Sequence, residues 1–217
     1  MTLIPSKDIP LGQDVDLFDT TLISRISKEL IEGIREHGPA IGLSAVQIGY
    51  EYNMFIVDFS LIKFKFKPFS MVDMVTFINT TYTSNGKRGE VEEGCLSLPG
   101  YTWTVPRYRH INVSGHFWNG MEAKEFTLPM VVHPITCIAF QHEVDHQQGI
   151  LLEDIGRNKT AIPEVEEMHF GNELDPERYD FVEVDSAGVP TTKDSEEEMV
   201  IKNKFKETRR GLIIPGE

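Results

Sequence analysis

The chain has only two cysteines, Cys95 and Cys137, in 217 residues. That is too few for the disulfide framework of a small extracellular domain, and a reducing interior fits. A long apolar run is also missing. The most apolar stretch, 54–74, is broken by Asp58, Lys63, Lys65, Lys67, Pro68 and Asp73, which excludes a membrane-spanning helix. Met1 to Asp16 contains no apolar segment of signal-peptide type, so a cytoplasmic protein is expected. Positive charge is scarce: 21 Lys and Arg stand against 34 Asp and Glu, a net charge of −13. Phosphates would be repelled, so free nucleic acid is excluded as a partner. Repeats and low-complexity segments are absent. What is present is a chain 40% hydrophobic and 25% charged, long enough for one domain with a full core.

The most informative feature is His142-Glu143-Val144-Asp145-His146. Histidines four apart fall on one face of a helix, where both can grip a single divalent metal. Glu143 then lies beside the metal, placed to take a proton from a water. Pro134 suits the first turn of this helix and Gly149 the position just past its end. Ile135, Ile138, Ala139, His142 and His146 form one stripe, so the metal face is also the apolar face. Asp145 lies off that stripe, either orienting a ligand or standing on the surface. A zinc endopeptidase would take its third ligand from downstream, among Glu153, Asp154, Glu164, Glu166, Glu167 and His169. Upstream, Glu93-Gly94-Cys95-Leu96-Ser97-Leu98-Pro99-Gly100 offers a thiolate instead, unless Cys95 is a buried structural thiol, as Cys137 is expected to be.

Three segments carry a family resemblance. Ala40-Ile41-Gly42-Leu43-Ser44-Ala45-Val46-Gln47-Ile48-Gly49 resembles the first signature of the peptide deformylases, G-x-G-L-A-A-x-Q-x-G. Glu93-Gly94-Cys95-Leu96-Ser97 matches the second, and Gln141-His142-Glu143-Val144-Asp145-His146 with Gly149 the third. The resemblance covers residues 8–155, about two thirds of the chain. It implies removal of the formyl group from the N-terminal formyl-methionine of newly made polypeptides, a step of N-terminal processing in protein biosynthesis. It assigns Cys95, His142 and His146 to one divalent metal, Fe(II) in the family's usual state, with Zn, Ni or Co also suited to the ligand set. It makes Glu143 the general base, and Gln47 and the Leu96 backbone N–H the donors to the oxyanion. Ile41, Gly42, Glu93, Ile138 and Ala139 are the candidates for binding the formyl-methionyl peptide or nascent chain, each with a plain packing or bracing role as its alternative. Arg107 matches a position often Arg in the family, and a structural ion pair is expected there.

Three residues depart from the family pattern: Ala40 for Gly, Ser44 for Ala, and Gln147 for Leu, the last expected to make the helix end more polar. Two other functions are weighed: the zinc endopeptidase, and a catalytically silent peptide-binding module.

Leu17 to His37 reads as a helix with Leu22, Ile26, Leu30 and Ile34 on its core face, ended by Gly38-Pro39. Strands are expected at Asn53–Phe59, Val75–Thr83, Tyr101–Val105, Ile111–Trp118 and Lys124–Pro129, with a hairpin turn at Asn119-Gly120. The fold class is α+β: antiparallel sheets packed around a central helix carrying the HExxH motif. Residues 1–160 form the catalytic domain and 161–217 an extension. The extension has acidic clusters at Glu164–Glu167 and Asp194–Glu198, a basic cluster at Lys202–Arg210, a strand within Tyr179–Val184 and a helix from Asp194 to Arg209. It is either a solvated tail or a docking element for a ribosome.

Overall fold

The structure, a computed structural model, describes residues 2–37, 40–61, 74–84, 86–129, 134–162 and 182–183. Helix α1 (Thr20–His37) is followed by strands β1 (Gly42–Ser44), β2 (Met54–Asp58), β3 (Met74–Ser84), β4 (Arg88–Gly94), β5 (Tyr101–Tyr108), β6 (Ile111–Trp118) and β7 (Ala123–Pro129). Helices α2 (Pro134–Gln147) and α3 (Leu152–Ile155) come next, then β8 (Arg157–Ala161) and β9 (Val182–Glu183). The strands form two sheets, ordered β1-β2-β3-β6-β7 and β8-β5-β4-β9, and every pairing is antiparallel. Among the described residues, no helix is long and apolar enough to cross a membrane.

Helix α1 begins three residues later than its apolar pattern suggests. The Asp19 carboxylate accepts the Leu22 N–H at 2.9 Å and satisfies one of the free donors of a helix start, while Asp16 turns the chain at Phe18. Its core face is also corrected by one position. Ile23, Ile26, Leu30 and Ile34 are buried, whereas Leu22 is only half-buried.

Strand β2 is apolar without alternation because both of its faces are covered. Met54 and Ile56 pack with Ile23, Ile26 and Leu30 of α1. Phe55 and Val57 face the other way, onto Phe77, Phe140 and Val144. The Phe77 and Phe140 rings meet edge to face with centroids 4.6 Å apart, and Phe55 stacks on Phe77 at 5.3 Å. Truncating one such ring in a filled core costs about 3–5 kcal/mol, so this aromatic cluster pins α2 to the first sheet. From its other side α2 reaches the second sheet, through Gln141 to the Tyr108 backbone and Asp145 to Arg107.

All five strands read from the sequence are present, and the turn at Asn119-Gly120 joins β6 to β7. Four strands lie outside that list or at its margin. β1 is too short to show a period. β8 is exposed throughout and has no apolar face. β4 alternates, but one of its inward positions is the carboxylate Glu93. β9 falls within the expected strand Tyr179–Val184 and pairs Glu183 with Gly89 and Val182 with Glu90 on the edge of β4. The acidic and basic clusters of the extension, its expected helix and Gly38-Pro39 lie outside the described residues.

Candidate active site

Helix α2 includes all of His142 to His146, and Gly149 follows it with φ 71°, a left-handed turn that suits glycine. One turn apart, the two imidazoles face each other with Nε2 atoms 3.1 Å apart. Cys95 stands just past the end of β4, its Sγ 3.3 Å from His146 Nε2. The ligand atoms of Cys95, His142 and His146 all lie within 4.8 Å of one another, and no other such group occurs among the described residues. The downstream carboxylates that are described stand elsewhere. Glu153 is exposed and accepts the Ser6 hydroxyl, and Asp154 accepts the Leu151 N–H at the start of α3. Glu164, Glu166, Glu167 and His169 lie outside the described residues.

The donor set fits a divalent transition metal. Metal–nitrogen bonds of about 2.0–2.1 Å and a metal–sulfur bond of about 2.3 Å at tetrahedral angles separate neighbouring ligand atoms by roughly 3.3–3.6 Å. The observed 3.1 and 3.3 Å are close to that. His142 Nδ1 is engaged on its far side by Glu93 Oε2 at 2.8 Å, a contact of the kind that orients imidazoles in metal sites.

Glu93 belongs to a buried ionic network. Arg107 donates from Nε and Nη2 to the two Glu93 oxygens at 2.6 and 2.9 Å, and from Nη1 to Asp145 Oδ2. The three residues are 2–8% exposed. Burial alone would raise the Glu93 carboxyl, but the Arg107 guanidinium overrides it and holds the group below the ordinary carboxylate range. For Asp145 burial wins, and its pKa is raised despite Arg107. Asp145 is therefore not a surface carboxylate. Helix α2 is buried on nearly all sides, so its polar residues Gln141 and Asp145 meet the second sheet and not water. Gln147, expected to make the helix end more polar, is likewise buried, and its carbonyl accepts the Gly12 N–H. Cys137 is a buried thiol near the Tyr108 carbonyl, and burial pushes it up to about 12.

The first signature folds against this cluster. After β1, residues Ala45–Ile48 form a 3-10 turn that aims Gln47 inward. Gln47 Oε1 accepts the Ser44 N–H at 2.8 Å, which leaves Nε2 to donate to Ser97 Oγ at 3.1 Å and to approach Cys95 Sγ at 3.6 Å. Ser97 is thus a member of the site that sequence reasoning left without a role. Its signal was its place in the second signature. Gly42 lies under Glu143: a Cβ there would sit 2.5 Å from Glu143 Oε1, so no side chain fits without displacing the carboxyl. Glu143 is 3% exposed, and Oε2 has no hydrogen-bond partner. Burial pushes this carboxyl up to about 7. Leu96 is partly buried in the turn after Cys95. Ile41 packs on the aromatic core, and Ile138 and Ala139 are buried on α2.

The polypeptide deformylase family model matches residues 11–160 of the chain. The chain belongs to this family. It is 32% identical to the peptide deformylase of Bartonella bacilliformis over 145 residues, 66% of the chain and 76% of that protein. It is 31% identical to that of Hahella chejuensis over 145 residues, 66% of the chain and 77% of the relative. Its fold is similar to the peptide deformylase of Synechococcus elongatus solved in complex with actinonin, with a TM-score of 0.59 and 25% identity, covering 72% of the chain and 79% of that protein. The peptide deformylase of Thermotoga maritima is similar with a TM-score of 0.57 and 25% identity, covering 72% and 97%. The chain is a deformylase: a metal-dependent hydrolase that removes the formyl group from the N-terminal formyl-methionine of newly made polypeptides.

Proposed function

We propose that the reaction is carried by Cys95, His142, His146, Glu143, Gln47 and Leu96. The observation that supports this is the convergence of one cysteine sulfur and two imidazoles beside one buried carboxyl group and one inward amide. Cys95, His142 and His146 would hold a single divalent ion, Fe(II) by family resemblance, and the mixed sulfur–nitrogen set also suits Zn, Ni or Co. When bound, such an ion supplies Lewis acidity, polarising the formyl oxygen and making water more acidic. Glu143 takes the proton of the attacking water through Oε2. Gln47 donates from Nε2 to the oxygen that becomes negative, and the Leu96 N–H donates beside it; a donor of this kind contributes about 3 kcal/mol in the transition state. Glu143 then returns its proton to the leaving amine, giving formate and a free amino terminus. Glu93 braces His142 through Oε2.

We place the peptide as an added extended strand along Gly42 in β1, which stands at the edge of the first sheet. Ile41, Ile138 and Ala139 would line the recess for the methionine side chain. In this reading α2 is the central element of the fold, and residues 1–160 are the catalytic unit, working in the cytoplasm where chains are made. The complex of the Synechococcus elongatus relative with actinonin supports binding of peptide-like ligands here.

The test is formate release from a short formyl-methionyl peptide, on protein purified without oxygen, together with metal analysis of Cys95→Ser. Turnover by the wild type, and loss of both metal and turnover in the variant, is the expected result. Metal and activity retained without the thiolate would favour an endopeptidase ligand set. Bound metal without formate would favour the peptide-binding module. Ribosome docking by residues 161–217 rests on their charge pattern. Deleting residues 162–217 tests it: loss of ribosome co-sedimentation would support docking, and unchanged co-sedimentation would leave a solvated tail or packing extension.

A further inference from the structure

Gln47 and Glu143 stand on different elements, a 3-10 turn after β1 and the middle of α2, yet both must address the same carbonyl group. A displacement of about 1 Å between such groups can cost roughly 100-fold in rate, so something must hold the turn to the helix. Ser44 touches both. It is fully buried, and its N–H donates to Gln47 Oε1 at 2.8 Å. Its hydroxyl donates to the Glu143 carbonyl oxygen at 3.0 Å. A helix carbonyl has a second lone pair, so it can take this proton beside its helical bond. This is also a position where the chain departs from the family signature, and alanine could make only the first of the two bonds.

We propose that Ser44 is a positioning residue: its hydroxyl clasps the Gln47 turn to the Glu143 turn of α2 and sets the distance between the two catalytic side chains. The inference rests on the roles given above to Gln47 and Glu143. It concerns the chemical step and not peptide binding, because the bond links two parts of the machinery and reaches no substrate. A buried hydrogen bond of ordinary strength corresponds to a factor of roughly 2–13 in an equilibrium, and the loss expected in kcat is of that order.

The experiment is formate release by the wild type, Ser44→Ala, Gln47→Ala and the double variant, each checked for metal content and melting temperature. Ser44→Ala is expected to lower kcat about fivefold, with KM within twofold and metal content unchanged. In the Gln47→Ala background the same change is expected to have no further effect, since the amide whose position it governs is gone. Ser44→Thr, which keeps the hydroxyl, is expected to regain most of the lost kcat. An unchanged kcat in Ser44→Ala, a loss confined to KM, or equal losses with and without Gln47 would each overturn the clasp. So would a Thr variant that melts like the wild type but turns over like Ala. If Gln47→Ala itself is fully active, the role of Gln47 falls, and this inference with it.

Discussion

Replacing Glu143 by glutamine is expected to lower formate release by about 10²–10⁴-fold while leaving metal content and fold intact. The two side chains have nearly the same shape, and shape matters here because Glu143 Oε1 is pressed against Gly42, where even a Cβ would come within 2.5 Å. Glutamine fills that space but offers no atom able to accept and return a proton. Stability is expected to hold or rise, because a neutral amide costs less to bury than a carboxylate whose Oε2 has no hydrogen-bond partner. His142 and His146 project from the same turn without contacting that oxygen, so the metal complement should not change. Steady-state formate release, elemental analysis and a thermal melt on one preparation check all three parts. Turnover within tenfold of the wild type would remove Glu143 from the proton transfers and leave its conformation without a purpose.

Arg107→Ala is expected to destabilise the protein by about 3–5 kcal/mol and to weaken metal binding as well. Arg107 is the shared cation of Glu93 and Asp145, and all three residues are buried. Removing it leaves two carboxylates facing each other out of water. Lysine should not repair the loss, since a single ammonium cannot span both Glu93 oxygens and Asp145 as the guanidinium fork does. The second consequence runs through Glu93 Oε2, which holds His142 Nδ1 at 2.8 Å. When Glu93 loses its anchor the imidazole loses its orientation, and a partner of this kind is worth about 10–100-fold in metal affinity. Denaturant unfolding and the rate of metal transfer to a chelator measure the two effects separately. Wild-type values for both in the alanine variant would show that the ion pair braces nothing.

The reading of the chain from its residues went furthest where function constrains residue type and spacing together. Two histidines at i and i+4 need only the geometry of a helix to converge, so His142, His146 and the neighbouring Glu143 were visible as a site before any fold was known. The neighbourhood of Cys95 and the family resemblance point to its pairing with them, and in the fold its Sγ lies 3.3 Å from His146 Nε2. Apolar periodicity located α1 and five strands, but it placed Leu22 where Ile23 is buried. It missed β4, because an inward carboxylate reads as a solvent position until its cation is known.

Asp145 shows the limit most directly. On a helical wheel it lies off the apolar stripe, and nothing within the helix says whether that side meets water or another sheet. Arg107 answers the question from 38 residues away along the chain. The same holds for Ser44, whose hydroxyl bonds a carbonyl 99 residues later, and for Gly42, whose missing side chain makes room for Glu143. By itself the sequence determined α1, the helix carrying the motif, five of the strands and the convergence of His142, Glu143 and His146, because these follow from spacing, while the reaction was legible through the resemblance of three segments to a family. Only the tertiary structure decided which charges are buried, what pairs with them and which backbone carbonyl the Ser44 hydroxyl meets, because burial and pairing depend on segments distant in the chain that meet only after folding.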